Sequence, residues 1–308
     1  MGWLELYYYI IVIAIIIEYL FSSISSILDI KNITPTIPYY FKKAYDQEKY
    51  ILSQDYLKAL TMFGLFSSTF SLILIMIVIN SDIFGLLDQF VRGQSDSYIL
   101  QGLLFIGIIY FFQDIVSLPF SIYHTFVIEE RFGFNKTTLN LFIIDKIKGY
   151  AIFIVLGSIV IIPILYFFHV YGDIGWLIAW SILTAFMIAV QPLFVHVIAP
   201  MFNKFTPLEE GELRSAIEKY TAKVNFPLAR IDIMDGSKRS AHSNAYFTGF
   251  GKSRRIAIFD TLVEKHSTNE IVSVVAHEVG HYKKKHIFQG LIISIFQIGL
   301  MAFLLELC

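Results

Sequence analysis

Long apolar runs separated by short polar stretches dominate this chain. Six of them come near the roughly 20 residues that a helix needs to cross a bilayer: 4–28, 57–79, 99–127, 150–171, 176–198 and 287–305. The first starts with an acidic residue, Glu5, and carries no small-residue cleavage site, so it reads as a retained span rather than a signal peptide. The polar stretches alternate in charge. Lys31, Lys42, Lys43 and Lys49 follow the first run, and only Arg92 follows the second, against Asp82, Asp88 and Asp96. Arg131, Lys136, Lys146 and Lys148 come next, then a turn holding Asp173 and no Lys or Arg. The stretch after the fifth run is rich in basic residues again. Positive loops stay inside, which predicts an N-terminus outside or in the lumen and a cytoplasmic segment at 201–285. The sequons at Asn32 and Asn135 then fall on inside loops and stay unmodified. Of the ionisable residues within the runs (Glu18, Lys58, Asp114, His124), Lys58 is placed to snorkel, and Asp114 beside Gln113 is a candidate to line a polar cavity.

Residues 201–285 break the apolar pattern. Pro207 opens a helical period carried by Leu213, Ile217, Tyr220, Ala222 and Val224, closed by Asn225 and Pro227. Ile231 and Ile233 then alternate up to the turn Asp235-Gly236, a second extended run covers 242–250, and a third covers 255–259. The pattern predicts a helix, a small antiparallel sheet and a further helix. That last helix opens with Ser267-Thr-Asn-Glu270, the spacing of a capping box.

Composition agrees with the spans: 56% of the 308 residues are hydrophobic and 16% charged, well away from an ordinary soluble domain. The fold class is therefore mostly α, a multi-span helical membrane protein with six spans and a small cytoplasmic α+β insert. Its organisation reads as a five-span region (1–200), the insert (201–285) and a sixth span (286–308). A net charge of −1 gives no electrostatic footprint for nucleic acid. The single cysteine, Cys308, excludes a disulfide framework or a multi-cysteine metal site.

The chemistry sits in the last helix of the insert. His277 and His281 are four residues apart, so both imidazoles leave one helix face a turn apart, a spacing that suits two nitrogen ligands of one Zn²⁺. Glu278 follows the first histidine, where it can take a proton from a metal-bound water and pass it to a leaving amine. This is the HExxH arrangement of zinc metalloproteases, with Gly280 allowing close approach to the helix. Lys283-Lys284-Lys285 reads as the basic collar usual at the cytoplasmic end of a span.

Beyond that motif, the chain resembles the type-1 CAAX prenyl endoproteases, multi-span zinc proteases that cleave prenylated C-terminal tails. The likeness is carried by Phe126-Val-Ile-Glu-Glu-Arg-Phe-Gly-Phe-Asn-Lys136, Pro200-Met-Phe-Asn-Lys-Phe-Thr-Pro207, Met234-Asp-Gly-Ser-Lys-Arg-Ser-Ala-His-Ser-Asn-Ala-Tyr-Phe247, Phe259-Asp-Thr-Leu262 and Val275-Ala-His-Glu-Val-Gly-His-Tyr282. The resemblance implies a ring of membrane helices around a water-filled chamber, one zinc ion facing the interior, and an edge strand beside it. On that strand, Asn244, Ala245 and Tyr246 would pair with the backbone of a peptide or protein tail, isoprenylated or similarly extended. It also implies a third zinc ligand, a glutamate on a helix beyond a seventh span. After His281 the one acidic residue is Glu306, which a continuous helix would put about 40 Å from His281. His286 would lie about 140° around the same helix. The chain therefore reads as a truncated member without its seventh span or third ligand, and Cys308, with nothing after it, is not a prenylation site.

Other readings are an inactive fragment or membrane scaffold, and a quality-control zinc protease. The latter places HExxH after two spans rather than five. A transporter lacks support, because no pair of broken helices is present. The lipid bilayer is a partner on every reading. The compartment follows the source: endoplasmic reticulum membrane for a eukaryote, inner membrane for a prokaryote.

Overall fold

A computed structural model describes residues 3–43, 45–248 and 254–306. Cys308 and the end of the extended run at 242–250 lie outside the described residues. Among the described residues, five stretches are long and apolar enough to cross a membrane: Glu5–Asn32, Gln47–Ile79, Tyr98–Glu129, Leu139–Phe202 and His286–Leu304. The fourth has 64 residues, about three bilayer thicknesses of helix, and it folds back on itself as two helices. The six apolar runs therefore appear as six long helices in five stretches. Little of these stretches is buried within the protein; large side chains such as Phe21, Phe66, Phe296 and Met301 are exposed, as suits residues solvated by lipid.

The chain divides into two compact units, 1–133 and 134–307. The first holds α1 (Trp3–Asn32), α2 (Gln47–Ile79), α3 (Ile83–Arg92) and α4 (Tyr98–Tyr123). Asp46 caps α2 by accepting from the backbone N–H groups of Glu48 and Lys49, both at 3.0 Å. The Tyr8 hydroxyl donates to Asn80 Oδ1 at 2.6 Å, and Tyr19 and Thr69 share a hydrogen bond of 2.7 Å, which fixes α1 alongside α2. After Pro119, α4 loosens into a π-helical turn at His124–Glu129. Proline removes one helical donor and crowds the preceding turn, a common cause of such local shifts.

The second unit begins with α5 (Leu139–Tyr171), capped by Thr138, which turns at Gly172 into α6 (Gly175–Leu193). Gly172 has φ +46°, and a Cβ on Gly175 would stand 2.8 Å from the Phe168 ring, so both positions need glycine. Pro192 precedes a second π turn, Phe194–Ile198, and a short helix α7 (Ala199–Phe202). At the other end of the unit, α11 (His286–Glu306) packs on α6: Trp180 Nε1 donates to the Ile295 carbonyl at 2.8 Å, and Gly299 leaves room for the same indole.

Between them lies the α+β region: β1 (Phe205–Pro207), α8 (Glu212–Lys223), β2 (Arg230–Met234), β3 (Ala245–Thr248), β4 (Arg255–Phe259), α9 (Asp260–Lys265) and α10 (Thr268–Lys283). The strand order is β1-β2-β4-β3, with β2 and β4 parallel and the outer pairs antiparallel. The expected antiparallel sheet is thus a mixed one, because α8 and β3 lie between strands whose periodicity carries no direction. Pro207 ends β1 instead of opening a helix, and α8 starts five residues later. One face of the sheet carries Ile231, Ala245, Ile256 and Ile258 into a core with Ile217 of α8 and Ile271, Val275 and Val279 of α10. The spacing of the last three, four residues apart, turns the opposite side of α10 outward.

Candidate metal centre and substrate edge

The capping box at the start of α10 is present: the Ser267 backbone N–H and its hydroxyl both donate to Glu270 Oε2 at 2.8 Å. They hold the Glu270 carboxyl below its ordinary range. Two turns on, His277 is exposed while Glu278 and His281 are half-buried. The Nε2 atoms of His277 and His281 face each other at 3.0 Å. Two nitrogens at neighbouring corners of a tetrahedral zinc site stand about 3.3 Å apart, so this pair fits two corners of such a site with little movement. Among the described residues no group of three or more His, Cys, Asp or Glu side chains is arranged to hold a metal ion. Glu306 sits at the far end of the 21-residue α11, about 30 Å along it.

The helix does not continue through the lysines. It ends at Lys283, Lys285 takes φ +58°, and α11 restarts at His286. This overturns the continuous-helix estimate for His286: its Nδ1 lies 2.8 Å from His281 Nδ1, on the side of the ring away from His277. At Gly280 a Cβ would meet nothing within 4 Å, so the space beside it is open.

β3 is an edge strand of the sheet, at the end opposite β1. The Asn244 carbonyl accepts from the Phe259 N–H at 3.0 Å, so by the antiparallel alternation Asn244 and Tyr246 turn their backbone groups inward to β4, and Ala245 and Phe247 turn theirs to the outer edge. Of the three residues predicted to pair with a tail, Ala245 alone has its backbone on that side, and its N–H donates to Asn244 Oδ1 at 2.8 Å. The Tyr246 side chain faces away from α10, its hydroxyl 3.7 Å from Met234 Sδ, and burial raises its pKa. Beyond the strand opens a cavity of about 510 Å³, lined by Phe247, Ile287, Phe288 and Leu291 on its apolar side and by His281, Arg254, Lys283 and Lys285 on its polar side. Arg254 stacks on Tyr282 at 4.3 Å.

Sequence reasoning set His286 aside on the continuous-helix estimate, and it did not single out Arg254 or the anchor of the preceding loop. Arg239 grips Asp145 of α5 through two bonds of 2.7 and 2.9 Å and Asn203 through a third of 2.9 Å. Phe134 stacks on His242 at 4.1 Å. Phe134, Asn203, Arg239 and His242 fall within phrases that stood out in the sequence, and Asp145 does not. Of the ionisable residues in the spans, Glu18 and Lys58 are exposed and Asp114 is half-buried.

Residues 26–204 match the family described as CAAX prenyl protease N-terminal, five membrane helices, and residues 207–307 match peptidase family M48. CAAX prenyl protease 1 of Saccharomyces cerevisiae is 42% identical over 265 residues, covering 81% of this chain and 57% of that protein. The CAAX prenyl protease 1 homolog of Homo sapiens is 34% identical over 237 residues, covering 64% of this chain and 49% of that protein. The chain thus spans about half the length of these relatives. The crystal structure of S. mikatae Ste24p superposes with a TM-score of 0.88 at 36% identity, over 95% of this chain and 71% of that one.

Proposed function

The chain belongs to the CAAX prenyl protease family, joining its five-helix N-terminal region to a family M48 peptidase region, and from that premise we propose a zinc metalloendopeptidase of the membrane. Its substrate is an extended C-terminal tail, isoprenylated in the CAAX manner. The observation that carries the reading is the approach of the His277 and His281 Nε2 atoms to 3.0 Å on the outward face of α10. Zinc held by this pair supplies a Lewis acid that polarises a scissile carbonyl and lowers the pKa of a water.

The Glu278 carboxylate takes the proton of the attacking water and delivers it to the nitrogen of the leaving amine. Ala245 and Phe247 receive the tail as an added strand; a tail carbonyl takes over the Ala245 N–H, and Asn244 Oδ1 releases it. The cavity past Phe247 supports an apolar tail ending in a carboxylate: Ile287, Phe288 and Leu291 meet the apolar part, and Arg254, Lys283 and Lys285 meet the charge. The basic and basic-poor loops support a bilayer orientation with the N-terminus outside or lumenal and residues 201–285 cytoplasmic.

Metal content per purified chain, measured together with cleavage of a prenylated peptide, tests this reading. The parent is expected to hold zinc and cleave; Glu278→Ala is expected to keep the metal and lose about 10²–10⁴-fold in rate. Cleavage by Glu278→Ala at the parent rate overturns the assigned base. A parent chain with neither zinc nor cleavage overturns the activity.

A further inference from the structure

We infer that His286 is a positioning residue for His281, fixing its ring and its protonated nitrogen so that Nε2 is presented to a metal. The inference rests on the proposed role of His277 and His281 as ligands. The three rings form a chain: His277 and His281 have centroids 4.7 Å apart at 76°, and His281 and His286 have centroids 4.9 Å apart at 74°. His281 lies between them with its two nitrogens engaged on opposite sides, Nε2 toward His277 at 3.0 Å and Nδ1 toward His286 at 2.8 Å.

The proton count in this chain is restrictive. A neutral imidazole carries one N–H. When the Nε2 lone pair of His281 faces a metal, its proton is on Nδ1, and the group at hydrogen-bond distance from that proton is His286 Nδ1, which accepts it. His286 then carries its own proton on Nε2. The reverse direction, with His286 donating, leaves a proton on His281 Nε2 and closes that nitrogen to a metal. The hydrogen bond fixes the ring orientation, and run from His281 to His286 it holds the metal-competent tautomer, the task that outer partners of ligating histidines generally perform.

The backbone is built to bring His286 there. Lys284 N–H bonds the Gly280 carbonyl at 3.0 Å and Lys285 N–H bonds that of Tyr282 at 2.9 Å, while Gln289 N–H bonds the Lys285 carbonyl at 3.0 Å. With Lys285 in the left-handed region, α10 closes and α11 opens within one turn. His281 and His286 are not members of the buried core, so their approach is not a by-product of core packing.

The test is metal affinity, read without catalysis. The whole chain in detergent, stripped by a chelator, is titrated with Co²⁺ and with Zn²⁺ against a chromophoric competitor, and the visible spectrum of the Co²⁺ form is recorded. His286→Ala is expected to weaken both metals by about 10- to 100-fold and to change the Co²⁺ spectrum. His286→Gln, whose side-chain carbonyl can accept from His281 Nδ1, is expected to recover most of the affinity. A parent that binds no more tightly than His277→Ala overturns the metal reading itself. A parent that binds well while His286→Ala matches it overturns the positioning role alone, and so does a folded His286→Gln that binds as weakly as His286→Ala.

Discussion

Asp232 carries its carboxyl where solvent does not reach, at 0% exposure, between strand neighbours that are both isoleucine. Arg230 Nε contacts it from a half-exposed side chain, and Arg255 Nη1 lies 3.5 Å away at 13% exposure. Asp232 Oδ2 and Arg255 Nε make no hydrogen bond among the described residues, so the charge is paired but not fully satisfied. Removing one partner of such a pair is costly because the other charge stays buried. Arg255→Met is expected to lower stability by about 3–5 kcal/mol, well beyond Arg230→Met, as a thermal unfolding series in detergent would show. The alternation of Ile231 and Ile233 was legible in the sequence; the burial of Asp232 was not, because it depends on an arginine of a strand that pairs with β2 from 25 residues away. At the N-terminus of α10, both the Ser267–Glu270 box and its hydrogen bonds were legible. The carboxyl of Glu270 sits below its ordinary range in the folded chain. Its stabilisation is thus present above the ordinary carboxylate pKa and disappears as pH falls through the lowered folded value. Glu270→Gln is expected to flatten that acid limb of the stability curve, measured as unfolding midpoint against pH.

Among the elements, α10 was readable from its start through its motif: its cap, its apolar stripe and its two histidines obey local rules that need no tertiary context. Its end was not, because Lys283-Lys284-Lys285 contains neither glycine nor proline to mark a break. A lysine at φ +58° sits in a region that costs L-residues about 1–2 kcal/mol. Lys285→Gly is therefore expected to stabilise the turn by about 1 kcal/mol, and Lys285→Val to destabilise it by more, both read from denaturation midpoints. Gly280→Ala fills open space and is expected to raise stability by about 1 kcal/mol through helix propensity. A fall in peptide cleavage in that stabilised variant would mean the tail passes over Gly280. The sheet was legible strand by strand but not in topology, since the short β1 and the parallel pairing of β2 with β4 are set by long-range contacts.

For the molecule as a whole, the spans were the most readable feature, because a helix satisfies its own backbone in hydrocarbon and therefore needs one long apolar run for each crossing. Their ends were less so. α2 and α5 have 33 residues each, about 50 Å against a core of about 30 Å, and the polar turns added by Gln47–Tyr56 and Leu139–Gly149 break the apolar pattern without breaking the helix. Orientation is open to a direct check. With Cys308 replaced by serine, a cysteine at Ser95 is expected to react with an impermeant maleimide from outside the cell or from the lumen, and one at Glu209 only from the cytoplasmic side. Labelling in the opposite sense would reverse the topology. The two π turns among the described residues, one in each compact unit, have a consequence for inheritance. A π turn holds one residue more than an α turn, so deleting a single residue within 124–129 or 194–198 lets the helix close to ordinary α geometry and keeps the phase of everything beyond it. The same deletion elsewhere in α4 or α6 rotates the remainder by about 100°. Length variation among relatives of this chain is therefore expected to fall as single-residue gaps at these two places, which act as the seams where a membrane helix can gain or lose a residue without losing its partners.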